Sequence, residues 1–134
     1  MTNKEFPTKI LLIEDAEPDI ILFRRAIRSL GYPADIKEVR DGMQALQELR
    51  NNSNYDLVVL DINLPRLSGF DVIQELKSEG KPIPNTVVLT SSDLEEDRMT
   101  AEKLGLKRYY QKPMSFSKFK DLVKEMIQNW QANN

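Results

Sequence analysis

A three-layer α/β sandwich, with helices on both faces of a five-stranded parallel sheet, is what three observations predict for this chain. Strand-like and helix-like stretches alternate five times along the 134 residues. The clearest strands, Ile10-Leu11-Leu12-Ile13 and Leu57-Val58-Val59-Leu60, are unbroken apolar runs. Strands covered on both faces read this way, whereas half-exposed ones alternate. The stretches between strands are long enough for right-handed crossovers, so the sheet is doubly wound. A chain of this length fits one domain and buries a single core without disulfides or structural metal.

Each element has its own reason. Lys9 to Ile13 is a buried strand that ends in Glu14-Asp15. Pro18 suits the first turn of a helix, in which Ile20, Phe23, Ala26, Ile27 and Leu30 share one face until Gly31 stops it. Ala34 to Val39 alternates polar and apolar residues as a more exposed strand does, and Asp41-Gly42 is a turn. Met43, Ala45, Leu46 and Leu49 mark a short amphipathic helix. The run from Leu57 then forms the central strand and delivers Asp61 at its carboxyl end. Beyond the loop Leu64 to Gly69, a helix with Phe70, Val72, Ile73 and Leu76 on one face ends near Gly80. Thr86 to Leu89 is the fourth strand and ends in Thr90-Ser91-Ser92. Asp93 suits an N-cap, with Glu95, Glu96 and Asp97 in the helical turn where the dipole favours acids, and Gly105 is the stop. Lys107 to Gln111 is the fifth strand, followed by Lys112-Pro113. Phe119, Leu122, Val123, Met126, Ile127 and Trp130 trace the buried face of a last helix. Residues 1–8 and 131–134 are expected to be terminal tails around a domain of residues 9–130.

Composition excludes much chemistry. There is no cysteine and no histidine, so thiolate sites, imidazole ligands and histidine bases are all ruled out. The net charge of −2 comes from 19 basic and 21 acidic residues spread along the chain, which disfavours a direct nucleic-acid partner. No apolar run approaches the roughly 20 residues of a membrane span, and the polar N-terminus lacks a signal-peptide core. A cytoplasmic protein is the expectation.

The strands deliver Glu14, Asp15, Asp61, Thr90 and Lys112 to the carboxyl edge of the sheet, where open α/β sheets bind ligands. Singly, each has a bland reading: a turn and helix cap, a turn residue, the start of a loop, a solvated lysine. Together they are an acidic cluster that needs a counter-charge. At about 4 Å and an effective dielectric near 20, each close carboxylate pair costs about 4 kcal/mol. Mg²⁺, a hard cation that takes oxygen ligands, fits such a set, and Lys112 can approach the same pocket. A carboxylate held beside Mg²⁺, with an ammonium and a hydroxyl converging on it, is arranged to attack phosphorus and to steady the spreading charge. Asp61 is the nucleophile in that reading, and its product is an acyl phosphate.

These residues, in this order and spacing from about Lys9 to Trp130, resemble a receiver domain of bacterial two-component response regulators. The resemblance implies a flavodoxin-like strand order 2-1-3-4-5 with five helices. It implies that Glu14 and Asp15 hold Mg²⁺, that Asp61 is the phosphoacceptor, and that Asn63 lends the metal its backbone carbonyl. It further implies that Thr90 is the switch hydroxyl, Tyr109 the rotating aromatic and Lys112 the phosphoryl-binding lysine, with Pro113 preceded by a cis bond. Glu14-Asp15 stands where many members have two aspartates, and Met114 stands where an aromatic is common. Glu14-Asp15, Leu89 to Ser92 and Trp130 also resemble the single-domain regulators encoded near phytochrome-type histidine kinases.

The implied function is that of a single-domain phosphoacceptor, not an enzyme, that assists its own phosphorylation and dephosphorylation. A histidine kinase or phosphotransfer protein would supply the phosphoryl group. A downstream protein, with no output domain on the chain itself, would read the face of the fourth helix, fifth strand and fifth helix. Homodimerisation through that face, using Tyr110 and Trp130 as exposed aromatics, is a further expectation. One rival is a pseudo-receiver that binds partners without phosphate. The other is a Mg²⁺-dependent aspartyl phosphatase of the haloacid dehalogenase type, from which Asp61-Ile62-Asn63 departs by lacking the second acid of Asp-x-Asp.

Overall fold

The computed structural model describes residues 5–132. The strands are β1 (Lys9–Ile13), β2 (Asp35–Val39), β3 (Leu57–Leu60), β4 (Thr86–Thr90) and β5 (Tyr109–Gln111). The helices are α1 (Glu17–Ser29), α2 (Gly42–Asn51), α3 (Gly69–Ser78), α4 (Glu95–Lys103) and α5 (Phe116–Ala132). All strand pairings are parallel, as the sequence predicts, and the order is β2-β1-β3-β4-β5, as the family resemblance implies.

The apolar runs divide by residue parity, as a pleat requires. Ile10, Leu12, Leu57, Val59, Val87 and Leu89 face a core built with α1 and α5 around Phe23, Phe119 and Met126. Leu11, Ile13, Val58, Leu60 and Val88 face the opposite core, built with α2 and α3 around Leu46, Leu49, Ile73 and Leu76. With both faces covered, β1 and β3 have no room for polar side chains until they reach the edge of the sheet.

Four expectations are corrected here. Residues 5–8 belong to the fold: Phe6 stacks on Tyr32 with ring centroids 5.7 Å apart, and Thr8 binds Asp56 through both its N–H and its hydroxyl. The proposed tail residues 1–4 and 133–134 lie outside the described residues, and α5 continues to Ala132 rather than stopping at Trp130. Trp130 is buried and donates its indole N–H to Asp56 O at 2.9 Å, so it is core and not a dimer surface. Tyr110 is half-buried, its hydroxyl accepting from Asn129 Nδ2 at 2.8 Å.

The N-cap of α4 is Leu94 rather than Asp93. Ser92 Oγ accepts from Leu94 N at 3.3 Å and donates to Asp97 Oδ2 at 2.5 Å, supplying the local partners expected of the aspartate. Within α4 only Ala101 is buried. Leu94 and Met99, and Met114 after β5, leave apolar side chains exposed.

Candidate functional site

Backbone pairing brings the site together. Glu14 N donates to Val39 O and Asp61 N to Ile13 O, each at 3.0 Å, so the ends of β1 and β3 emerge side by side. Register sets Leu60 opposite Val88, which puts Thr90 at the same edge, and Lys112 N donates to Thr90 O at 2.8 Å. The loop after β3 is pressed close: a Cβ on Gly69 would lie 2.5 Å from Asp61 O and 2.9 Å from Ile62 Cα. Only glycine leaves room there, and Gly69 N reaches Ile62 O at 3.0 Å.

Glu14 and Asp61 are 3% and 6% exposed, while Asp15 opens to solvent. One carboxylate oxygen from each of these three residues lies within 4.8 Å of the others. Lys112 stands among them, its Nζ 2.5 Å from Glu14 Oε1 and 3.0 Å from Asp61 Oδ2. Asp61 Oδ1 accepts from Asn63 N at 3.1 Å. The nearest acids thus outnumber the Lys112 ammonium, and the protonation equilibria reflect it. Burial, with the Asp61 charge adding to it, pushes the Glu14 carboxyl up to about 7, against the hydrogen bond from Lys112 that favours ionisation. Burial alone would pull Lys112 down, but its bonds to Asp19 and Glu14 and the charge of Asp61 more than offset this and hold it above its ordinary value.

The donor set consists of carboxylate oxygens, with no nitrogen or sulfur ligand and an excess of negative charge. It suits a hard divalent cation such as Mg²⁺.

Thr90 is fully buried, and its Oγ1 accepts from Ser92 N at 3.3 Å. Tyr109 is half-buried and donates its hydroxyl to Ser92 O at 3.1 Å, with the Arg98 guanidinium 4.5 Å from the ring centroid. The aromatic is therefore turned in against the residues that follow Thr90. The Lys112–Pro113 bond is trans, since no described peptide bond is cis, which corrects the expectation at Pro113. A trans X-Pro bond is favoured by about 0.5–1 kcal/mol, and Lys112 reaches all its partners from it.

Sequence reasoning missed Asp19. Its carboxylate lies 2.8 Å from Lys112 Nζ across 93 residues of chain. Its place in the first turn of α1, four residues after Asp15, is the local signal, but there it reads as an acid serving the helix dipole.

A buried aspartate at the end of the central strand, flanked by two acids, a hydroxyl and a lysine on successive strands, defines a receiver site. The family model for the response regulator receiver domain matches residues 10–124, and the chain belongs to that family. Among its relatives, the probable methanogenesis regulatory protein FilR2 of Methanothrix harundinacea is 36% identical over 94% of this chain and 85% of its own length. The polar-differentiation response regulator DivK of Brucella anthropi is 30% identical over 90% of this chain and 97% of its own. Against other relatives, such as the response regulator MprA of Mycobacterium, the chain spans about half the length, 46%. The solved structure of the phosphorylated cyanobacterial phytochrome response regulator RcpA superposes with a TM-score of 0.81 at 34% identity, covering 95% of this chain and 96% of that one. The Mn²⁺-bound form of response regulator Rcp1 gives 0.76 at 28% identity, covering 93% and 95%.

Proposed function

We propose that Asp61 is the phosphoacceptor of a signalling switch, fed by a histidine kinase or phosphotransfer protein. The observation that carries this reading is the buried Asp61 carboxylate held 3.0 Å from Lys112, with Glu14 and Asp15 within 4.8 Å. A carboxylate needs no base at neutral pH. One Asp61 oxygen attacks phosphorus, the bond from phosphorus to the donor's nitrogen or oxygen breaks with its electron pair leaving on the donor, and an aspartyl phosphate results.

Glu14, Asp15, Asp61 and the Asn63 carbonyl are the groups that would hold Mg²⁺, which when bound supplies positive charge against the phosphoryl oxygens. Lys112 turns its ammonium from Asp61 to a phosphoryl oxygen, and the Thr90 hydroxyl donates to another. Tyr109, already bonded to Ser92 O, packs behind Thr90 and favours the arrangement that phosphoryl uptake needs. Two charge-assisted contacts supply roughly the 5.5 kcal/mol that moves a two-state element from 1:99 to 99:1. The altered surface is that of α4, β5 and α5, where Leu94 and Met99 stand exposed for a downstream protein.

Intact mass after incubation with acetyl phosphate and Mg²⁺ tests this reading. A gain of about 80 Da, one phosphoryl group, is expected in the native chain and absent from Asp61→Asn and from an EDTA control. No gain from any donor would replace the reading with that of a phosphate-independent interaction module.

A further inference from the structure

Lys112 has three N–H donors, and three carboxylates take them: Glu14 at 2.5 Å, Asp19 at 2.8 Å and Asp61 at 3.0 Å. The three partners differ in what happens to them when a phosphoryl group arrives. Asp61 loses its formal charge on forming the acyl phosphate. Glu14 belongs to the cluster of oxygens that suits a cation, and its charge is then shared with it. Asp19 lies outside that cluster, is 28% exposed on its side chain, and takes part in neither change.

We propose that Asp19 is a positioning residue that restrains Lys112, so that the ammonium, in turning from Asp61 to a phosphoryl oxygen, is held back by the Asp19 carboxylate. The proposal rests on the phosphoacceptor reading above and adds to it a regulator of the same site. The anchor is rigid: Asp19 sits in the first turn of α1, its N–H bonded to Ala16 O at 3.0 Å and the neighbouring Ile20 buried in the core. Lys112 is therefore held on the α1 side of the pocket in the resting protein. Asp19 also adds one more negative charge facing an incoming anion. Both effects weaken the hold on a phosphoryl group, and a protein that carries Asp19 takes up its phosphoryl less readily than the same site without it.

Beryllofluoride, a tetrahedral stand-in for the phosphoryl group that needs no covalent donor, measures this directly in the full chain with Mg²⁺ saturating. Asp19→Asn keeps the shape and removes the charge, and is expected to tighten beryllofluoride binding by about threefold to tenfold. Asp19→Glu should bind as the native chain does. Glu17→Gln removes an acid from the same turn that pairs with Arg40 rather than Lys112, and should also leave binding unchanged. Asp19→Ser repeats the test with a shorter side chain if the Asn variant loses its cooperative thermal transition. Equal or weaker binding by Asp19→Asn overturns the proposal, as does equal tightening by Glu17→Gln, which would make the effect one of general charge. If the native chain and Asp61→Asn are alike in failing to bind beryllofluoride, the phosphoacceptor reading itself falls and this one with it.

Discussion

Two aspartates bracket β3, and their surroundings make them opposites. Asp56, just before the strand, points one oxygen at Thr8 N, Thr8 Oγ1 and Lys9 N, at 2.9, 3.0 and 3.0 Å, while its carbonyl receives the Trp130 indole. Its charge is met by donors, so it ties the start of β1 and the end of α5 to the central strand. Asp61, five positions later, has one backbone N–H and a shared ammonium, and it faces two further carboxylates. Like charges at such range repel, and burial strengthens the repulsion. The same residue type thus stabilises one end of the strand and costs stability at the other. On the proposed function the cost has a use, since the poorly compensated carboxylate is the one that would gain from a cation and a phosphoryl group.

The contrast can be broken by substitution. The largest expected effect is on chemistry: Asp61→Asn should abolish the mass gain from acetyl phosphate, whereas Asp56→Asn should retain it. Lys112→Ala removes the ammonium that these acids share, and breaking buried pairs of this kind costs about 3–5 kcal/mol. Urea unfolding in EDTA should show that loss, and Mg²⁺ at a hundred times its dissociation constant should return about 2.7 kcal/mol. Next, Asp56→Asn should cost about 2 kcal/mol in the same assay, because hydrogen bonds to a charged acceptor are weakened together.

The smallest effect sharpens the comparison with an acid at neither end of β3. Glu48 on α2 accepts from Lys37 and from the Tyr55 hydroxyl, and these bonds hold its carboxyl below the usual value of 4.5. A folded value below the unfolded one means that the native state binds fewer protons near that pH. The stability Glu48 adds is therefore complete above 4.5 and is lost as pH falls through the folded value. Glu48→Gln should cost about 0.5–1 kcal/mol at pH 7, with the gap to the native chain closing as pH falls below 4.5 in urea titrations.

The sheet and its site were legible because their signals are local. An unbroken apolar run that stops at an acid announces both a covered strand and the residue at its end, which is why β1, β3, Glu14, Asp15 and Asp61 could be read directly. β5 was less legible: the strand proper is Tyr109–Gln111, with Tyr109 opposite Val88, and of the two residues read before it Arg108 contributes only its carbonyl, which accepts from Val88 N at 2.9 Å. Asp19 was hidden because its decisive partner is remote in sequence, and a first-turn acid has a sufficient local explanation. Trp130 illustrates the reverse case. Its apolar spacing marked it as core, and only the indole N–H bonded to Asp56 shows how a polar edge is accommodated there. The Pro113 bond could not be read from Lys112-Pro113 alone, since the two isomers of an X-Pro bond differ by only about 0.5–1 kcal/mol.

Urea unfolding of Asp61→Asn beside the native chain, both in EDTA, tests most directly the claim that the Asp61 carboxylate sits among like charges at a cost to the fold. Removing its charge relieves the repulsion from Glu14 and Asp15 while leaving Lys112 with Glu14 and Asp19. The account predicts a higher midpoint for the variant, with an unchanged slope and a gain of about 1 kcal/mol or more. A lower midpoint would mean that Asp61, like Asp56, is a structural anchor, and would contradict the account.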